Sequence, residues 1–267
     1  MKLTIQRRGQ GSPLLCLHGH PGSSRSMAVF TERLSQQFET IAPDLRGYGA
    51  SRPTTDFEMA AHLQDLSALM TDLPDCLILG WSLGGILAIE LALRYPQQVQ
   101  GLILVATAAR PRSSHPPITW QDNFYTGLAG LVNWAIPAWS WNIEQWGKRS
   151  LFRYLMQQHT PHAYQRLAQE GVSAYLKTSA QAARALNQAI RQGYNRLPDC
   201  AHLPMPSLML CGEQDRHITA AASRETAAAM PDCELRCYAH TAHLFPWEIP
   251  EQMHRDIELW LRKKQLL

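Results

Sequence analysis

The sequence predicts an α/β protein, a parallel sheet flanked by helices, with a helical segment inserted between two of its strands. Three observations carry that expectation. Short apolar runs bounded by turn residues alternate with segments of helical spacing, which is how parallel strands and their crossover helices read. A tight turn of the form Gly-x-Ser-x-Gly, Gly80-Trp81-Ser82-Leu83-Gly84, joins one such run to one such segment. The interval from about Arg110 to Leu203 interrupts the alternation and becomes rich in proline and tryptophan.

Taken in order, Met1 to Gly9 reads as a first strand; it has no apolar core or small-residue cleavage site of the kind a signal peptide needs. Leu14 to Leu17 is a buried strand ending at His18-Gly19. Thr40 to Asp44 is another, ending in Arg46-Gly47-Tyr48-Gly49. From Phe57 to Leu73 the spacing is helical, with Met59, Leu63, Leu66, Leu69 and Met70 on one side. Cys76 to Leu79 is the strand before the serine turn, and Gly85 to Leu93 is the helix after it. Gly101 to Thr107 follows as a strand. The sheet pattern resumes at Ser207 to Gly212, then a helix from Ala220 to Met230, a strand from Glu234 to Tyr238, and a closing amphipathic helix from Ile249 to Lys264.

The expected organisation is a core from residues 1–109 and 204–267, with residues 110–203 as a helical cap. The cap opens with Pro111, Pro116 and Pro117 and holds five of the eight tryptophans: Trp120, Trp134, Trp139, Trp141 and Trp146. Helical spacing returns in it from Leu151 to Leu167 and from Val172 to Ile190.

Composition narrows the function. At 267 residues the chain can bury a full core. A net charge of +3 with no basic run argues against nucleic acid as a partner. No apolar stretch reaches the ~18 residues of a membrane span. Of the six cysteines, Cys16, Cys76 and Cys211 sit inside apolar strand-like runs, where a thiol is a small core residue. Cys233 and Cys237 are carried by a strand pattern with no second ligand pair, so no zinc site is expected. Reduced thiols and a cytoplasmic location are the expectation, with no metal or organic cofactor.

Ser82 is the candidate nucleophile. A strand–turn–helix of this kind holds a serine hydroxyl clear of the sheet on a strained backbone, and Gly80 and Gly84 keep strand and helix from colliding. A serine hydroxyl needs a base to take its proton. Among eleven histidines, His243 follows the last strand in a loop that can reach the turn; His240, three residues earlier, competes. Asp215, in the loop leaving the strand before, is the candidate acid that orients the imidazole, with Glu213 the competitor. The order Ser82, Asp215, His243 is the one a nucleophile-elbow hydrolase uses. Oxyanion donors should be the backbone N–H of Leu83, at a helix N-terminus, and that of His20, after the His18-Gly19 strand end. His18 itself reads as a residue that braces the loop.

With these residues assembled, the chain resembles the α/β-hydrolase superfamily. The resemblance rests on His18-Gly19-His20-Pro21-Gly22-Ser23-Ser24, Asp44-Leu45-Arg46-Gly47-Tyr48-Gly49-Ala50-Ser51, Gly80-Trp81-Ser82-Leu83-Gly84-Gly85 and the Asp215 and His243 loops, all in order. It implies an α/β-hydrolase fold, a mostly parallel eight-stranded sheet with a lid over the site. Haloalkane dehalogenases and soluble epoxide hydrolases resemble the chain around His18 to Ser24, but their elbow nucleophile is an aspartate; Ser82 points instead to acyl transfer to water. The elbow is similar to that of the pimeloyl carrier-protein methyl esterases of biotin synthesis. Ala242 stands where the superfamily often has glycine before the catalytic histidine.

The expected substrate is a small-molecule ester, or an acyl group borne on a carrier. Gly127 to Trp141 is unusually apolar, so Trp134 and Trp139, with Trp81 of the elbow, are candidates to line an acyl pocket. Arg110, Arg112, Lys148, Arg149 and Arg153 could receive an acidic carrier or a substrate carboxylate, or form a solvated face. Other readings stay open on the same triad: a C–C bond hydrolase, a lyase-like synthase, a cofactor-free haloperoxidase, or a ligand-binding signalling protein of slow turnover.

Overall fold

Seven strands pair into one sheet in the order β1-β3-β2-β4-β5-β6-β7. They are β1 (Ile5–Arg8), β2 (Pro13–Leu17), β3 (Glu39–Pro43), β4 (Cys76–Trp81), β5 (Val99–Val105), β6 (Ser207–Gly212) and β7 (Cys233–Tyr238). The computed structural model describes the chain apart from residues 53, 54, 172, 173 and 175. Among the described strands β1 alone runs antiparallel, against β3; the other strand pairings are parallel. The count among the described residues is seven strands, one fewer than the eight that the resemblance implied.

The central strands β2, β4 and β6 are buried at every residue, as parallel strands covered on both faces must be. Alternation divides the side chains of β2, β4 and β5 between two cores. Leu15, Leu17, Ile78 and Leu104 face one with Leu87 and Leu91 of the helix after the elbow. Leu14, Cys16, Leu77, Leu79 and Ile103 face the other with Phe30, Ile257 and Trp260. Edge strand β1 ends in Arg7 and Arg8, both exposed, a charged edge that discourages further pairing.

The helices of the core are α1 (Ala28–Leu34), α2 (Met59–Thr71) and α3 (Leu83–Arg94). Between β5 and β6 the chain leaves the sheet and forms α4 (Trp120–Ala135), α5 (Ser140–Gln145), α6 (Phe152–Leu155), α7 (Pro161–Arg166) and α8 (Ala180–Arg191). It then closes with α9 (Ala220–Ala229), α10 (Phe245–Glu248) and α11 (Pro250–Lys263).

The helical spacing from Leu151 to Leu167 does not produce one helix. Met156 is extended at φ −135° and ψ 144°, and Pro161 opens a second helix capped by Thr160, whose hydroxyl accepts the Ala163 N–H at 3.2 Å. Proline lacks the N–H that a continuous helix would need there, so it sits where a helix begins. Of the spacing from Val172 to Ile190, positions 172, 173 and 175 lie outside the described residues; α8 begins at Ala180 behind the cap residue Ser179. All six cysteines are free thiols. Among the described residues no helix is long and apolar enough to cross a membrane.

Candidate active site

The turn between β4 and α3 places Ser82 at φ 56° and ψ −115°, a left-handed backbone that an L-residue adopts only under strain. The strain is held by neighbours on both sides. The Ser82 N–H donates to the Val105 carbonyl at 2.8 Å, and the Thr107 hydroxyl donates to the Ser82 carbonyl at 2.8 Å. The two glycines are sterically required. A Cβ on Gly80 would lie 2.4 Å from the Gly84 carbonyl oxygen, and one on Gly84 would lie 2.0 Å from that of Leu17.

Ser82, Asp215 and His243 come together from three loops at the C-terminal ends of β4, β6 and β7. His243 Nε2 is 3.1 Å from Ser82 Oγ, and His243 Nδ1 is 2.7 Å from Asp215 Oδ2. A carboxylate only accepts, so Nδ1 carries the proton and Nε2 is left to accept from the serine hydroxyl. The other oxygen, Asp215 Oδ1, accepts the N–H groups of His217 and Ile218 at 2.7 and 3.0 Å. All three side chains are buried. The competitors are placed elsewhere: His240 and Glu213 are exposed.

The loop after β2 approaches the serine with its backbone. A Cβ on Gly19 would be 3.1 Å from Ser82 Cβ and 3.7 Å from Ser82 Oγ, so a side chain at this position would crowd Ser82. His20 follows it, its Nδ1 3.0 Å from the Tyr48 hydroxyl. His18 is fully buried and ties two loops together: its Nδ1 donates to the Gly19 carbonyl at 2.8 Å, and its Nε2 accepts the Leu45 N–H at 3.0 Å. Burial lowers its pKa to about 4, which keeps the ring neutral and able to accept. Across the elbow, the N–H of Leu83 opens α3, where no intrahelical partner exists for it.

The tryptophans are placed differently from one another. Trp81 is buried, with ring centroids 5.9 Å from Phe30 and 5.4 Å from Trp247, both edge-on. Trp134 and Trp139 are largely exposed, and Trp139 stacks on Trp141 at 5.0 Å.

Two groups around the triad were not anticipated. The ring of His217 meets His243 edge-on at 4.6 Å, and His115 from the insertion meets His217 at 5.5 Å. Glu248 lies under the His243 loop, accepting the Ala242 N–H at 2.9 Å and the N–H groups of Gln157 and Gln158 at 2.9 and 2.7 Å. The available signal was a carboxylate in an otherwise apolar run, Leu244-Phe245-Pro246-Trp247-Glu248-Ile249, which must bury it against donors.

These features define a class. The family model of the alpha/beta hydrolase fold matches residues 12–250, and the chain belongs to that family. Among curated proteins it is similar to the pimeloyl-acyl-carrier-protein methyl ester esterase of Nitrosospira multiformis, 31% identical over 160 residues, 58% of this chain and 57% of that protein. It is also similar to the protein of that name from Shewanella woodyi, 28% identical over 260 residues, 94% of this chain and 90% of that one. The chain spans only about half the length of several curated relatives that it matches. Among solved structures, a thermophilic esterase from Thermogutta terrifontis superposes with a TM-score of 0.73 at 25% identity, covering 98% of this chain and 93% of the other.

Proposed function

We propose that the chain is a serine hydrolase that cleaves a carboxylic ester through an acyl-enzyme. The single observation that supports it most is the continuous hydrogen-bonded series Ser82 Oγ, His243 Nε2, His243 Nδ1, Asp215 Oδ2, at 3.1 and 2.7 Å. In this reading His243 takes the hydroxyl proton as Ser82 attacks the ester carbonyl, and returns it to the departing alcohol. Asp215 fixes the tautomer and stabilises the imidazolium. The N–H groups of Leu83 and His20 receive the oxyanion, the first at a helix N-terminus and the second next to Gly19, where an added Cβ would crowd Ser82. Water activated by His243 then releases the acid. Each step moves only protons and acyl groups, so the reaction needs no metal or organic cofactor.

The finer reading is an acyl ester presented to a cap formed by residues 110–203. Leu155 accepts the Leu244 N–H at 2.8 Å, and His115 reaches the rim of the triad through His217, contacts that support a cap seated over the site. Of the three tryptophans the sequence offered, Trp81, buried beside Phe30 and Trp247, is the candidate for contact with the acyl chain, whereas Trp134 and Trp139 are exposed. The names of the two esterases above, each acting on a carrier-bound methyl ester, favour an acyl group carried on a small protein over a free ester. Six free thiols support a reducing, cytoplasmic setting.

A fluorophosphonate probe tests the nucleophile. It should label the native chain, fail on Ser82→Ala, and label His243→Ala only weakly. Undiminished labelling of Ser82→Ala would remove Ser82 from the reading.

A further inference from the structure

We propose that the outward face of α4, with the chain that continues from it, is a docking surface for an anionic lipid bilayer. The face is defined by helical spacing. Trp120, Phe124, Gly127, Leu131 and Trp134 stand at intervals of four, seven, eleven and fourteen residues, within an arc of about 80° on a helix about 24 Å long. Trp120 is 74% exposed, Leu131 62% and Trp134 63%, and a Cβ on Gly127 would meet nothing within 4 Å. Ile118 before the helix and Ile136, Trp139 and Trp141 after it extend the exposed apolar surface.

The orientation of α4 is the reverse of a surface helix in water, which turns its polar side outward. Here Asp122 and Asn133 are buried while the aromatic residues are outside. Specific bonds pin that orientation. Asn133 donates to the Tyr164 carbonyl at 2.8 Å and accepts the Ala138 N–H at 2.9 Å. Asp122 pairs with Arg153 and closes the capping box with Thr119. Asn142 donates to the Ala129 carbonyl at 3.0 Å. Rotating the helix to hide its tryptophans would orphan each of these buried groups.

The charge pattern selects the occupant. From Ser113 to Ile143 the only carboxylate, lysine or arginine is Asp122, which is buried. The turn that follows α5 and packs on α4 carries Lys148, paired with the exposed Glu144 at 2.5 Å, and Arg149, which is exposed. Across residues 110–203 there are ten lysines and arginines against four acids, although the whole chain is only +3. An uncharged aromatic face with a basic rim suits the boundary between anionic headgroups and acyl chains, where tryptophan is favoured. A second copy of the chain fits less well, because pairing two such faces would bring two basic rims together. The stripe is also the convex side of one helix and offers no groove to a protein. It begins five residues after His115, whose ring meets that of His217 beside His243.

Co-sedimentation of the full chain with vesicles tests this without any turnover, so its outcome is separate from the esterase reading. The native chain should bind mixed phosphatidylcholine–phosphatidylglycerol vesicles about tenfold more tightly than phosphatidylcholine alone, and added salt should reduce the difference. Phe124→Ser with Leu131→Ser, both exposed, should lower partitioning about a hundredfold at unchanged melting temperature. Lys148→Gln with Arg149→Gln should remove the preference for the anionic vesicles. No binding to either vesicle would overturn the proposal. So would a dimer, or a complex with an acidic carrier protein, that the serine variants abolish while vesicle binding is absent.

Discussion

Glu248 accepts the backbone N–H of Ala242 at 2.9 Å, one residue before His243. Its other oxygen accepts the N–H groups of Gln157 and Gln158, so one buried carboxylate joins the His243 loop to the segment between β5 and β6. Burial raises its pKa, and the three N–H donors oppose the rise. Glu248→Gln supplies one acceptor oxygen where two are used, leaving a buried N–H unpaired at a cost of about 1–3 kcal/mol. The same change loosens His243, so kcat/KM for a soluble ester should fall about tenfold. Urea unfolding and steady-state kinetics on the one variant measure both effects; native values for each would show that Glu248 does not hold the loop.

Asp215→Asn separates orientation from charge. Asp215 Oδ1 is held by the His217 and Ile218 N–H groups, so an asparagine would keep its oxygen there and turn its NH2 to His243. His243 Nδ1 must then accept, the proton moves to Nε2, and the base toward Ser82 is lost. The expected fall in kcat is about 10⁴-fold with the fold intact. A fall of less than about tenfold would mean that the tautomer is not fixed by Asp215.

Gly84→Ala tests the elbow's geometry. The added methyl would stand 2.0 Å from the Leu17 carbonyl oxygen and 2.9 Å from that of His18, and both are backbone. Neither can turn aside as a side chain could, so β2 must shift. The expected loss of stability is about 3 kcal/mol, read as a lower urea midpoint.

His18 makes stability depend on pH. Burial lowers its pKa from the ordinary 6.5 to about 4 in the folded chain. Between those values the unfolded chain binds the extra proton, so stability rises with pH through the window and is lost as pH falls through it. Moving from pH 7 to about pH 5 should cost about 2 kcal/mol from this residue alone. His62, lowered to about 4 chiefly by burial, acts in the same direction. Urea unfolding across that range should show a shallower slope for His18→Asn than for the native chain.

The parts legible in the sequence were those in which one residue type satisfies one local requirement. Gly80 and Gly84 are needed wherever a strand meets a helix at a serine turn, and the apolar strands on either side gave the turn its place. His243 and Asp215 could be favoured over His240 and Glu213 because loop position relative to a strand end is readable. Glu248 was not, since its role comes from donors about ninety residues away at Gln157 and Gln158. α1 was missed because Ala28–Leu34 is too short to show a period. The break at Met156 was hidden by apolar spacing that continues on both sides of it. The exposure of Trp134 follows from Asn133, which turns α4 by bonding to Tyr164, a tertiary contact that periodicity does not encode.

An ester substrate should acylate Ser82. Rapid mixing with a p-nitrophenyl ester, acid quench and peptide mapping by mass spectrometry tests it most directly. The expected result is a burst of about one nitrophenolate per chain, with the acyl mass on the peptide that contains Ser82. Turnover at the native rate in Ser82→Ala, or an acyl group mapped to any other residue, would contradict it.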